Sequence, residues 1–174
     1  MAKETIEEYK KRISGLVAGK DPVKIQSNTI AHIERLVQGV SNEKLAKRPA
    51  PENWSITEIL AHLSETELVG GYRMRSVIGA PGCVIVGFDQ DAWAVAGKYA
   101  QRDPHKSLQL FRALREANLE LLASLEPGQW KHHGVHSERG EESIERIAIM
   151  YAGHDLNHIS QIEAILGKSA SASS

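Results

Sequence analysis

Two histidines four residues apart, His154 and His158, sit in the run Tyr151-Ala152-Gly153-His154-Asp155-Leu156-Asn157-His158-Ile159-Ser160-Gln161-Ile162. At 3.6 residues per turn this spacing stacks both imidazoles on one face of a helix, about 5.4 Å apart along its axis. That face is apolar: Ile144, Ile147 and Tyr151 precede the pair, and Ile162 and Ile165 follow it. Burying two imidazoles without partners costs roughly 1–3 kcal/mol each, so something must compensate them. A divalent metal ion would do so, and so would hydrogen-bond partners in a core or cavity; spacing alone leaves both open. The helical zinc-protease motif shares the interval but needs a glutamate directly after its first histidine. Asp155 stands there, one carbon shorter, so the pattern argues against a protease.

Two nitrogens make an incomplete site. His62 lies roughly 60° from the centre of its own helix's apolar face at 100° per residue, near enough to point into a bundle, and is the third ligand that the sequence offers. Three neutral imidazoles with an open fourth position suit Zn²⁺, and Ni²⁺ or Fe²⁺ are compatible by ligand type. Such an ion lowers the pKa of bound water to about 7, or holds a thiol as thiolate. Glu65, three residues after His62, and Asp155, beside His154, are candidates for orienting imidazoles or moving a proton. Gln161 falls one turn past His158 on the same face, where it could hydrogen-bond a substrate. Trp93 and Tyr151 are candidate pocket walls, and Asn118 is a further inward-facing pocket candidate. His132, His133 and His136 fall in a loop expected over 127–140, as solvent-exposed or cavity-rim residues, and His32 is expected at the surface.

The elements that must position these groups read as helices. Ile6, Tyr9, Ile13 and Leu16 give a short amphipathic helix over 3–18. Asp21-Pro22 is an N-cap followed by a first-turn proline, opening a core helix over about 22–39. Pro49 and Pro51 enforce an extended approach to Trp54-Ser55-Ile56-Thr57-Glu58, a capping box that starts a helix running to about Ile78. Residues 79–102 read as a crossover with one short helix near 90–97. Asp103-Pro104 then starts the third long helix, carrying Leu108, Phe111, Leu114, Leu121, Leu122 and Leu125. The last helix, Ile144–Leu166, ends at Gly167, with a frayed tail over 168–174. Only Val84-Ile85-Val86 hints at a strand. The expectation is one all-α domain spanning 1–174, a four-helix bundle with its core over about 22–167 and a long crossover between the second and third long helices.

A chain of 174 residues with 25% charged side chains and a formal net charge of −1 is that of one soluble domain. Scattered lysines and arginines argue against nucleic acid as a partner. No apolar run approaches the ~20 residues of a membrane span, and the opening Met1-Ala2-Lys3-Glu4 lacks a signal-like apolar stretch, so a cytoplasmic location is expected. Cys83, the single cysteine, lies in a small-residue loop.

Taken together, Pro49 to Leu63 with His62, the segment Phe88-Asp89-Gln90-Asp91-Ala92-Trp93, and Gly140 to Gln161 with His154 and His158 resemble the DinB-like (DinB/YfiT-like) superfamily of metal-dependent enzymes, over about residues 25–167. The resemblance implies a four-helix bundle with a long crossover and a divalent metal, zinc or nickel, on His62, His154 and His158. It further implies a homodimer, and a hydrolase or low-molecular-weight-thiol S-transferase acting on a small electrophilic molecule. The alternative it leaves is a non-catalytic metal- or ligand-binding protein on the same bundle. Glu65 stands where relatives often have aspartate, which changes reach but not charge.

Overall fold

The computed structural model describes residues 4–168; the expected tail lies, beyond Lys168, outside them. Seven α-helices are present among the described residues: α1 Ile6–Gly15, α2 Pro22–Val37, α3 Asn42–Ala46, α4 Ile56–Gly79, α5 Gln90–Ala96, α6 Pro104–Ala123 and α7 Ile144–Leu166. Their starts follow local chemistry. The Asp21 carboxylate accepts from the Val23 and Lys24 amides, Asp103 does the same for His105 and Lys106, and a proline follows each cap. Ser55 and Glu58 close the expected capping box, with Arg48 pairing the buried Glu58 carboxylate from outside. Gly167 ends α7 at φ 68°, a left-handed conformation that glycine adopts without strain.

Helices α2, α4, α6 and α7 form the bundle, with α4 packed between α6 and α7 and α2 on the opposite side between the same two. Two apolar clusters fix their directions. One joins Ile30–Val37 of α2, Ile56–Leu63 of α4, Leu108 and Phe111 of α6, and Ile159 and Ile162 of α7. The other joins Met74 and Val77 of α4, Leu122 of α6, and Ile144 and Ile147 of α7. Helices α4 and α6 therefore run from the first cluster to the second, whereas α7 runs back. Helix α2 runs alongside α7: Gln26 bonds Ala148, Thr29 bonds Asp155 and Lys168 reaches Leu36.

A buried polar layer lies between the clusters. Arg115, 1% exposed, donates to Asp155 at 2.6 and 3.0 Å, to Glu67 at 2.8 Å and to the Gln26 carbonyl at 3.0 Å. Thr29 donates to Asp155, and Asn118 to Glu67, each at 2.8 Å. All four long helices contribute, so the layer sets their mutual register. On α6 the inward line is Leu108, Phe111, Arg115, Asn118 and Leu122, so Arg115 joins the inward-facing Asn118, while Leu114, expected on the apolar stripe, is only half-buried.

Residues 80–103 connect α4 to α6 and carry α5, close to the helix expected there. The loop expected over 127–140 is instead partly a β-hairpin, β2 His133–His136 and β3 Gly140–Ser143, with β1 Val84–Ile85 pairing in parallel to β2. Four-residue strands rich in glycine, glutamate and histidine carry little β-propensity; β2 lies between β3, its hairpin partner, and β1 of the crossover. Helix α1 docks on α7 at Gly153, where a Cβ would lie 2.2 Å from the Ile13 carbonyl oxygen. No helix among the described residues is long and apolar enough to cross a membrane.

Candidate metal centre

The Ser55–Glu58 box sets the phase of α4, and one turn later His62 enters the bundle, 1% exposed. From α7, running the opposite way, His154 and His158 face it. The His62 and His154 Nε2 atoms are 2.9 Å apart and those of His154 and His158 3.1 Å, with all three ligand atoms within 4.8 Å of one another. The Trp54 ring lies against His62 at 4.9 Å between centroids, and Tyr99 packs edge-on to Trp54. The three candidate histidines, His62, His154 and His158, thus share one site, reached from two helices.

Burial keeps these imidazoles neutral. It pushes His62 down to about 3, helped by the nearby His158. His158 falls to about 4, against the upward pull of its Gln161 hydrogen bond and of Asp155. His154 also lies well below its ordinary value, through burial and the other two histidines. The amide oxygen of Gln161 is 2.8 Å from His158 Nδ1. An oxygen there requires Nδ1–H as donor and leaves the Nε2 lone pair aimed at the other two rings. A four-coordinate ion with nitrogens at about 2.0–2.1 Å separates them by roughly 3.3 Å, a few tenths beyond what is seen, so small ring rotations admit it. The donor set fits a divalent metal, and among the described residues no further histidine, cysteine, aspartate or glutamate joins the three.

Two cavities meet at His154. The larger, about 610 Å³, is bounded by Arg12, Trp54, Asn157, His158 and Gln161; the smaller, about 370 Å³, by His62, Thr66, Arg73, Phe88 and Tyr151. Glu4 and Tyr9 border both, and Arg12 clamps the N-terminal segment over α7 by donating to Asn157 at 2.8 Å and pairing with Glu4. Both volumes suit small molecules.

Several expected site residues lie elsewhere. Both carboxylate oxygens of Asp155 are taken by Arg115, because the residue after His154 on a helix points about 100° away, here into the polar layer. Glu65 accepts from the Tyr99 hydroxyl at 2.9 Å and pairs with Arg102, tying the crossover to α4. Asn118 is locked between Glu67 and Arg75, and Trp93 stacks on Phe88 without bordering either cavity. Tyr151 borders the smaller cavity and Gln161 the larger. Gly70 makes room for Tyr151, since a Cβ there would sit 2.4 Å from its ring. His133 is exposed on the hairpin and His136 is buried beneath it; His32 pairs with Glu163 at a half-exposed position. The wall residues Trp54, Thr66, Arg73 and Tyr9 escaped sequence reading. Arg73 carried a signal: it falls seven residues after Thr66, on the same side of α4.

The chain is similar to curated proteins described as putative metal-dependent hydrolases. The Putative metal-dependent hydrolase OB0782 of Oceanobacillus iheyensis is 26% identical over 142 residues, covering 79% of this chain and 82% of that one. The Putative metal-dependent hydrolase BH0277 of Halalkalibacterium halodurans is 24% identical over 136 residues, covering 78% and 79%. Among solved structures, YfiT from Bacillus subtilis, described as "a probable metal-dependent hydrolase with an unusual four-helix bundle topology", superposes with a TM-score of 0.77 at 19% identity, over 97% of this chain and 94% of that one. The DinB superfamily model matches residues 27–162, a span that holds α4 and α6 whole, most of α2 and α7, and His62, His154 and His158. By that match this chain belongs to the DinB superfamily.

Proposed function

We propose that this protein is a metal-dependent enzyme whose zinc or nickel ion sits on His62, His154 and His158 and that acts on a small electrophilic molecule, by hydrolysis or by transfer of a low-molecular-weight thiol. One observation carries the reading: three neutral imidazoles, His62 and His158 buried and His154 part-exposed, converge from two helices at the junction of two cavities. When bound, the ion supplies a nucleophile at neutral pH, from water or from a thiol, and polarises an electrophile. The chain's own residues do the rest. Gln161 fixes the tautomer and ring plane of His158. Trp54 walls His62 and excludes water from one side. The paired cavities give two small molecules separate approaches to His154, the observation that keeps thiol transfer beside hydrolysis.

The small-molecule partner and a homodimer belong to the same reading. Leu68 and Tyr72, exposed one turn apart on α4, are an apolar surface that pairing would cover. The test is turnover of small esters, amides and alkyl halides by zinc- and nickel-loaded protein, with and without added thiols. Metal-dependent turnover, lost in His62→Ala, supports an enzyme. Full metal occupancy with no turnover across the panel would favour a binding protein instead.

A further inference from the structure

Arg73 is 6% exposed, and a buried guanidinium ordinarily has an anion beside it. The other deeply buried arginine, Arg115, has two carboxylates, and Arg139 holds Glu142 at 2.7 and 2.8 Å. Arg73 forms no ion pair with any described residue. Its Nη2 donates to the Val86 carbonyl at 2.8 Å, its Nε has no acceptor, and the Phe88 ring lies 5.7 Å from its guanidinium carbon. Beside it the buried Tyr151 hydroxyl faces the guanidinium and makes no hydrogen bond of good geometry. Both border the cavity that opens onto His62 and His154.

The surroundings leave that charge unbalanced. Glu142 is near, but both of its oxygens are spent on Arg139. His136, also near, is held neutral by burial and by the positive charges of Arg139 and Arg73. Of the acids lining the cavity, Glu4 is paired with Arg12 and Glu138 is exposed, folded over Gly87. One spare guanidinium and one neutral hydroxyl match a single negative charge better than a phosphate dianion, whose three oxygens call for more donors. The remaining walls include Ile6, Tyr9, Phe88 and Met150, which suit an apolar body.

We propose that Arg73 and the Tyr151 hydroxyl form a carboxylate-binding subsite, so that the smaller cavity takes a small carboxylic acid with an apolar body. The placement of its reactive part toward His154 rests on the metal-dependent reading; the subsite itself does not. Benzoate and its neutral counterpart benzamide are the probes, titrated calorimetrically into metal-free and zinc-loaded full-length protein. Benzoate should bind both forms, about tenfold or more tighter than benzamide. Arg73→Gln should abolish that preference, Arg73→Lys should retain part of it, and Tyr151→Phe should weaken benzoate severalfold; unchanged circular dichroism verifies the fold of each variant. Equal binding of benzoate and benzamide to the wild type, which needs no variant, would overturn the subsite. So would undiminished benzoate binding to Arg73→Gln, tighter binding of inorganic phosphate, or benzoate binding that appears only with zinc and vanishes in His158→Ala. A chain that takes up no metal yet prefers benzoate would defeat the metal-dependent reading alone; full metal uptake without that preference would defeat the subsite alone.

Discussion

Replacing Asp155 distinguishes a structural carboxylate from a catalytic one. It is 1% exposed and supplies one of the two negative charges facing the Arg115 guanidinium, at 2.6 and 3.0 Å. For charges about 4 Å apart at an effective dielectric near 20, the attraction is about 4 kcal/mol. Removing the carboxylate also removes its own desolvation penalty, and Glu67 stays on Arg115, so the net loss is smaller. We expect Asp155→Asn to destabilise the protein by about 2–3 kcal/mol and Asp155→Ala by about 3–5 kcal/mol, the alanine also removing the Thr29 bond to α7 and leaving that hydroxyl only the Ile25 carbonyl. For a chain of this length 3 kcal/mol lowers Tm by roughly 6–12 °C. Urea denaturation and calorimetry measure both, with metal content determined well below the transition, where it should stay near wild type. Glu67→Gln should behave like Asp155→Asn. An Asp155→Asn protein within about 0.5 kcal/mol of wild type, yet devoid of turnover, would refute the structural assignment and restore Asp155 to proton transfer.

Other outcomes follow from the same geometry. Gln161→Leu removes the acceptor of His158 Nδ1 and should weaken zinc affinity about 10–100-fold without unfolding α7; competition with a chromophoric chelator reads this directly. The metal-free protein should lose stability as pH falls from about 6.5 toward 4. Over that range unfolded histidines take up protons while His62 and His158 stay neutral inside, and His158 alone contributes about 3 kcal/mol of the loss. Urea midpoints at pH 7 and pH 5 for wild type and His158→Gln isolate that share, and identical pH dependence in the two would contradict it. Gly153→Ala should cost about 1–3 kcal/mol and lift α1 from α7, breaking the Arg12–Asn157 bond; faster amide exchange in α1 reports it.

The bundle was legible because its helices announce themselves: two Asp-Pro starts, one capping box, a terminal glycine and 3.6-residue stripes. His154 and His158 were legible for the same reason, since an interval of four on an apolar stripe has a direct spatial meaning. His62 was within reach once its helix had a phase. Asp155 and Asn118 were misplaced because a polar residue on an inward helical face looks the same whether it meets a cavity or a buried arginine. Only the packing of α2 and α4 against Arg115 decides between them. The hairpin at 133–143 was missed because its pairing with Val84–Ile85 is long-range and carries no local alternation. The side of α4 on which Arg73 falls could be read from its spacing to Thr66, but its lack of an ion-pair partner among the described residues could not, because sequence does not display that.

If His62, His154 and His158 hold one metal ion, metal content per chain after purification without chelators and reloading with zinc or nickel shows it. About one equivalent is expected for the wild type, and loss of that equivalent in His158→Ala. Less than about 0.1 equivalent in the reloaded wild type, or a full equivalent in His158→Ala, would contradict it.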